Sequence, residues 1–216
     1  MKAVAFDFDG TLIDSMGMWR NLGKNYLLNR GIPYTKEVEK NITAMSLAMA
    51  VDFLKEYFSF EEPTQEIYNE MASILHRGYS KELLLKDGAV EILEQFNNTD
   101  LQMVLATATN EDFVSPALKR FDLGKYFQWI QTCDNCGIQK GDVRFYHLLS
   151  EKLGVPCKEI YFFDDAPYAL KAAQEAGLYT IGVKDQSNAN VWEEVKKYST
   201  ITIDALEDFT LGGEIL

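Results

Sequence analysis

The apolar positions of this chain change rhythm along its length. Lys2 to Phe6 form a short, almost purely apolar run that breaks at Asp7. Such a run predicts a buried strand. From about residue 15 to 83 the spacing becomes helical. Met18, Leu22, Tyr26 and Leu27 fall on one stripe, and Ile67, Met71 and Leu75 on another. Ser15 predicts a cap for the first helix, with Gly31 and Pro33 as its stop. Thr35 predicts the cap of a stretch that runs to about Tyr57 and breaks near Asn41. Thr64 predicts the cap of a third helix after a turn at Pro63.

Beyond residue 84, strands and helices alternate. Asp87 predicts a cap for a helix carrying Val90, Leu93 and Phe96. Strands are expected at Leu101–Ala106, Phe127–Thr132, Ile160–Phe163, Tyr179–Val183 and Ile201–Ile203. Helices are expected at about 112–121 and 142–153, up to Ala176 with Gly177 as the stop, and at 188–198. This alternation predicts an α/β fold, a doubly wound parallel sheet covered on both faces. The all-helical block reads as an inserted cap. The expected domains are a core of residues 1–14 and 84–216 and a helical cap of residues 15–83.

Composition narrows the function. The chain has 216 residues, of which 47% are hydrophobic, enough for a sizeable core. Its 33 acidic residues outnumber 21 basic ones, for a net charge of -12, so direct binding to nucleic acid or to an anionic membrane is not expected. No apolar run reaches the roughly 18 residues of a membrane span. The acid at Asp7 comes too early for a signal peptide. The expected location is cytoplasmic and the default state monomeric. Cys133 and Cys136 form one CxxC, with His147 and Cys157 the conceivable further zinc ligands. Such a half-motif reads mainly as inert thiols.

In an open parallel sheet, ligands bind at the carboxyl ends of the strands. The polar residues that follow strands here are Asp7 and Asp9, Thr107, and Asp164 and Asp165, so these are expected to converge. Their carboxylates are hard oxygen donors with no His or Cys beside them, which predicts Mg2+ rather than zinc. Thr107 or Thr109 offers a hydroxyl and backbone N–H groups. Thr109 and Asn110 read more readily as loop and cap residues. Lys140, in a loop before a helix, can neutralise a phosphoryl group. Metal, positive clamp, hydrogen-bond donors and an in-line nucleophile make up the equipment of phosphoryl transfer.

These residues resemble the haloacid dehalogenase (HAD) superfamily, close to its phosphatases and its beta-phosphoglucomutase-like branch. The resemblance rests on Asp7-Phe8-Asp9-Gly10-Thr11-Leu12, Val104-Leu105-Ala106-Thr107, Lys140, and Phe163-Asp164-Asp165 followed by Ala172 to Gly177, all in order across about 2–184. It implies a Rossmann-like core with a helical cap. It also implies a magnesium-dependent phosphatase acting on a small phosphorylated metabolite. Asp7 is then the nucleophile that forms an aspartyl-phosphate, and Asp9 the group that protonates the leaving oxygen and activates water. Thr107 and Lys140 hold the phosphoryl oxygens, with the backbone at Ala108 beside them. Gly10 and Thr11 shape the turn. Asp7, the backbone carbonyl of Asp9, Asp164 and Asp165 hold the metal, one of the last two directly and the other through water or by holding Lys140.

The presence of Asp9 argues against dehalogenation, which has no need of a second aspartate there. A sugar-phosphate mutase is the alternative within the family. The family's mutases carry a His where this chain has Trp19, which argues against it. A non-catalytic binding protein on the same fold is the alternative outside enzymology. Two departures stand out. The family's lysine is commonly followed by proline, whereas Gly141 predicts a looser loop here, with Asp142 able to cap the next helix. After Asp165 come Ala166, Pro167 and Tyr168, with Pro167 suited to a first helical turn. Met16, Met18, Trp19, Met45 and Met49 read as packing residues of the cap, with Met16 and Trp19 near enough to the acidic turn to line an entrance. His76 and Arg77 read as surface groups. Cap and core are expected to open and close about Asp14-Ser15 and Leu84-Lys86.

Overall fold

A computed structural model describes residues 1–42 and 47–211. Its contacts divide into two compact units, Met1–Ser15 with Leu83–Leu216, and Met16–Glu82.

The first unit is built on six parallel strands: β1 (Ala3–Phe6), β2 (Gln102–Thr107), β3 (Ile130–Thr132), β4 (Ile160–Asp164), β5 (Tyr179–Val183) and β6 (Ile201–Ile203). They lie in the order β3-β2-β1-β4-β5-β6, so the chain winds outward from β1 in both directions. All four residues of β1 are fully buried, which explains an apolar run without alternation. On one face of the sheet, Ala3, Ala5, Val104, Ala106, Ile160 and Phe162 meet Phe145, Tyr146, Leu149, Ala169 and Ala173 from the helices that follow β3 and β4. On the other, Phe6 stacks on Phe163 with ring centroids 4.6 Å apart, and Phe96 and Phe209 close over them. Each such buried ring contributes about 2–3 kcal/mol of burial. The small side chains of β1 thus serve one helical layer, and the aromatic ring of Phe6 serves the other.

The segments that leave and re-enter this unit run side by side. Ile13 bridges Leu85 in antiparallel sense, the Asp14 amide donates to the Leu84 carbonyl at 2.9 Å, and the Lys86 amide donates to the Leu12 carbonyl at 3.0 Å.

The second unit contains α1 (Met16–Asn29), α2 (Lys36–Ile42), α3 (Leu47–Phe58), α4 (Thr64–Arg77) and a π-helical turn, Gly78–Glu82. Its core holds Leu22, Tyr26, Leu27, Val38, Val51, Leu54, Ile67, Met71, Leu75 and Tyr79. A Cβ on Gly23 would collide with Ile42 Cδ1, so glycine lets α1 and α2 approach. Arg30, just past α1, binds Glu62 at 2.8 Å and Glu70 at 2.7 Å while lying over the rings of Tyr26 and Phe60.

Thr35 caps α2 as expected, its hydroxyl accepting from the Val38 amide at 3.3 Å. Several other local expectations need correction. Ser15 directs its hydroxyl to Asp9 rather than to a helical amide. The residue before α4 is Pro63, so Thr64 is the first helical residue and not its cap. The helix α5 (Ala89–Asn97) starts after Gly88 with no side-chain cap, so Asp87 does not serve as one. The strand expected from Phe127 is shortened to β3, because Gly124–Tyr126 winds as a 3-10 turn before it. The helix expected over 188–198 divides into a 3-10 segment, Gln186–Val191, and a helix, Trp192–Tyr198. Met49 is 57% exposed, which a packing residue would not be. Met45 lies outside the described residues. No helix among those described is long and apolar enough to cross a membrane.

Candidate active site

The site grows from the ends of the two central strands. Past β1, the Asp7 amide still donates to the Phe163 carbonyl at 2.9 Å, as if the ladder continued one residue further. The chain then folds back sharply: the amides of Leu12 and Ile13 both donate to the Phe8 carbonyl, and the Gly10 amide donates to the Ile13 carbonyl. Gly10 adopts φ +76°, and a Cβ there would fall 2.5 Å from Asp165 Oδ2. Glycine is required twice over, by the backbone angle and by the carboxylate behind it. β4 carries its chain to the same place and delivers Asp164 and Asp165.

Asp7, Asp164 and Asp165 each present a carboxylate oxygen, and the three atoms lie within 4.8 Å of one another. All three side chains are buried. Lys140 enters from the loop before the helix α8 (Val143–Leu153) and is only 3% exposed. Its ammonium bonds Asp7 Oδ1 and pairs with Asp164 Oδ2 at 2.7 Å. Asp164 Oδ1 accepts from the Ala166 amide at 2.7 Å. Three carboxylates face one ammonium, so full ionisation leaves two buried negative charges uncompensated. Burial raises the Asp7 carboxyl well above the usual range against the pull of Lys140, and Asp164 and Asp165 raise it further. Burial, then Asp164, push Asp165 up to about 8. Lys140 is raised as well: burial loosens its proton, but Asp164 and Asp7 hold it more strongly and keep the ammonium well above the usual lysine range. A pocket of oxygen donors with surplus negative charge and no nitrogen or sulfur ligand fits a magnesium ion.

The Asp9 carboxylate stands apart from these three. Ser15 Oγ donates to its Oδ1 at 2.5 Å and Thr109 Oγ1 to its Oδ2 at 2.6 Å. The Asp9 side chain is not part of the group of three that could hold a metal. Thr107 is buried at the end of β2, and its hydroxyl accepts from the Thr109 amide at 3.1 Å, which fixes the turn that aims Thr109. Thr109 lies in the loop after β2, as expected, and from there its hydroxyl reaches Asp9. Ala108, between them, is exposed. Thr11 is fully buried and its hydroxyl makes no hydrogen bond, which leaves its backbone as the part available to shape the turn.

Gly141 does not loosen Lys140. The Tyr146 hydroxyl lies 2.9 Å from the Lys140 carbonyl, and the Asp142 side chain caps α8 by accepting from the Arg144 amide at 2.9 Å. Pro167 opens the helix α9 (Pro167–Glu175). Asn110 caps the helix α6 (Glu111–Arg120), accepting from the Asp112 amide. Cys133 and Cys136 occupy one helical turn, α7, and Cys136 Sγ faces the carbonyls of Cys133 and Ile138. Among the described residues no cysteine or histidine joins a metal-holding group. In the helical unit, Trp19 donates to the Tyr79 hydroxyl at 2.9 Å, and Met18 packs on Gly78. His76 and Arg77 border a surface groove with Arg30, and Arg77 pairs with Glu82 at 3.0 Å.

A model of the haloacid dehalogenase-like hydrolases matches residues 4–183, a span that takes in the acidic turn, Lys140 and the Asp164-Asp165 pair. The chain belongs to this family. Among the family's curated members, a phosphorylated carbohydrates phosphatase of Thermotoga maritima is 27% identical over 181 residues, covering 84% of each chain. A phosphoglycolate phosphatase of Pseudomonas fluorescens is 26% identical over 230 residues, covering 97% of this chain and 83% of that one. A solved HAD hydrolase of family IA, variant 3, from Entamoeba histolytica superimposes with a TM-score of 0.80 at 22% identity, covering 98% and 96% of the two chains, which bears on the fold.

Sequence reasoning about this haloacid dehalogenase-like hydrolase missed Ser15 on Asp9, and it missed Ser187 and Asn188. Ser187 Oγ donates to Asp165 Oδ2 at 3.3 Å, and Asn188 Nδ2 donates to the Asp165 carbonyl at 3.0 Å. The signal was present. Both follow β5, and polar residues after β5 converge on the same strand ends as those after β1, β2 and β4.

Proposed function

We propose that this hydrolase is a magnesium-dependent phosphatase of a small phosphorylated metabolite, working through an aspartyl-phosphate on Asp7. The observation that carries the reading is the buried group Asp7, Asp164 and Asp165 clamped by Lys140. The relatives named as phosphatases support the reaction class, with a phosphorylated carbohydrate or phosphoglycolate the substrates to try first.

Asp7, Asp164, Asp165 and the Asp9 carbonyl would hold the ion. Bound there, magnesium would neutralise charge on the phosphoryl oxygens and on the carboxylates around them. Asp7 attacks phosphorus with a carboxylate oxygen, and the bond from phosphorus to the ester oxygen breaks. Asp9 gives its proton to that oxygen, which leaves as an alcohol. Asp9, now a base, takes a proton from water as the water attacks phosphorus, and phosphate leaves Asp7 free again. Ser15 and Thr109 hold Asp9 in a fixed orientation meanwhile, and the Thr107 turn holds Thr109. Lys140 restrains Asp7 and offsets charge on the phosphoryl group.

The test is hydrolysis of p-nitrophenyl phosphate and of a panel of phosphorylated metabolites, with magnesium and with EDTA. Asp7→Asn is expected to lose at least about 10³-fold in turnover. Equal turnover by wild type and Asp7→Asn would reject the assignment.

A further inference from the structure

Asp165 is gripped from two sides. Gly10 abuts its carboxylate, so closely that a Cβ there would lie 2.9 Å or less from both carboxylate oxygens. On the other side stands the loop after β5, which supplies Ser187 to Oδ2 and Asn188 to the backbone carbonyl. That loop is itself braced. Asp185 accepts from the Ser187 amide at 2.8 Å, and Asn188 Oδ1 accepts from the Asp185 amide at 3.2 Å. Asn188 also donates to the Val183 carbonyl at 2.9 Å, which fixes the loop to the strand end.

The brace is completed by Lys86, far away in sequence. Its ammonium donates to Asp185 Oδ2 at 2.7 Å and to the Lys184 carbonyl at 3.0 Å. The pair is largely buried, with side chains 17% and 7% exposed. Burial opposes ionisation of Asp185, yet Lys86 and Ser187 keep its carboxyl below the usual range. Lys86 sits on the segment that returns to the core, and its amide donates to the Leu12 carbonyl. Leu12 and Ile13 belong to the turn that contains Gly10, and the Gly10 amide donates to Ile13. The contacts therefore close a ring: Gly10, Ile13, Leu12, Lys86, Asp185, Ser187 with Asn188, Asp165, and Gly10 again.

We infer that Lys86 and Asp185, with Ser187 and Asn188, are positioning residues that set Asp165 for the metal by tying the return segment to the acidic turn. None of the four is one of the proposed ligands. The inference rests on the reading of Asp165 as a metal-side carboxylate. Its physical basis is that groups hydrogen-bonded to a ligating carboxylate fix its orientation, and their loss typically costs about 10–100-fold in metal affinity. Lysine suits the place because one ammonium can reach a carboxylate and a carbonyl together, and its stem lies along buried surface.

The experiment titrates magnesium chloride into metal-free full-length protein, followed by calorimetry without substrate. Wild type, Lys86→Met, Lys86→Arg and Ser187→Ala are compared, with the melting temperature of each in EDTA. Lys86→Met is expected to weaken magnesium binding about tenfold and to melt earlier. Lys86→Arg restores most of the affinity. Ser187→Ala weakens binding several-fold with little change in melting, which separates positioning from general loss of structure and keeps the test alive if Lys86→Met folds poorly. Wild type that binds magnesium, with Ser187→Ala and folded Lys86→Met within twofold of it, overturns the positioning role alone. Wild type that binds no magnesium overturns the metal reading and this inference together.

Discussion

Two places in the molecule set one cation between two carboxylates, and they behave in opposite ways. In the helical unit Arg30 lies between Glu62 and Glu70, with its guanidinium over two aromatic rings. In the core Lys140 lies between Asp7 and Asp164. The Arg30 carboxylates reach water, at 36% and 45% side-chain exposure, whereas those of Lys140 are 7% and 0% exposed. Around Arg30 water can reach both carboxylates, and the Glu62 carboxyl is held below its usual range by its own backbone amide and by Arg30. Around Lys140 a third carboxylate, Asp165, joins the group, and burial drives Asp7 and Asp165 upward instead. The first arrangement is a clasp that closes on itself. The second keeps an unmet demand for positive charge, and that demand is what a metal and a phosphoryl-transfer site require.

Breaking the two cations should separate these roles most sharply. Lys140→Met leaves Asp7, Asp164 and Asp165 buried with no ammonium. Turnover of p-nitrophenyl phosphate should fall by about 10²–10³-fold, and the protein should lose on the order of 3–5 kcal/mol, the usual cost of orphaning a buried charge. Steady-state kinetics and urea unfolding in EDTA read both. If turnover survives, Lys140 is a structural ion-pair partner only.

A middle-sized effect concerns pH. Asp165 binds its proton more tightly folded than unfolded, since its carboxyl is raised to about 8. Its contribution to stability is fully present below the unfolded carboxylate value of about 3.9 and is lost as pH rises to about 8. In EDTA, then, the melting temperature should fall between about pH 5 and pH 8. Saturating magnesium should flatten that slope, because the ion takes over the proton's role. Glu62 has the opposite sign: lowered when folded, it contributes above the usual carboxylate range and loses that contribution as pH falls through it. A melting temperature independent of pH in EDTA would contradict the charge surplus ascribed to the core group.

The smallest effect is expected at the clasp. Arg30→Ala removes two part-exposed ion pairs and two ring contacts, together worth about 1–2 kcal/mol. Unfolding midpoints should show it while kcat stays within twofold. The destabilisation should also shrink as pH falls through the lowered range of Glu62.

Much of the core could be read before any coordinates because its signals are local. An apolar run without alternation means a strand with two buried faces, and an acid ending that run means a strand end. The order of strands and helices then brings Asp7, Thr107, Asp164 and Asp165 to one edge. What the sequence hid was hydroxyl direction. Ser15 satisfies every composition rule for a helix cap, yet the sharp turn at Gly10 brings Asp9 within its reach, and a carboxylate competes well for a hydroxyl proton. Thr109 was obscured in the same way by Thr107, whose hydroxyl is used up in fixing the turn. Asp87 and Thr64 failed as caps because Gly88 and Pro63 already set the backbone at those helix starts. The ring through Lys86 and Asp185 is non-local, its ion-paired members standing 99 positions apart, and no periodicity reports on that.

The side-by-side passage of Ile13-Asp14 and Leu84-Leu85 has an architectural consequence. The chain departs and returns through hydrogen-bonded neighbours, so the sheet is indifferent to how much polypeptide lies between them. Lengthening such an excursion costs only about 0.6 kcal/mol per doubling once its ends are fixed. Residues 16–82 therefore occupy a port where inserts of other sizes could be grafted with the six strands in register. The port adjoins the acidic turn, so whatever is grafted there starts one residue after Ser15 and its bond to Asp9. A single turn thus carries the two aspartates of the β1 end and leads directly into the junction where the insertion begins.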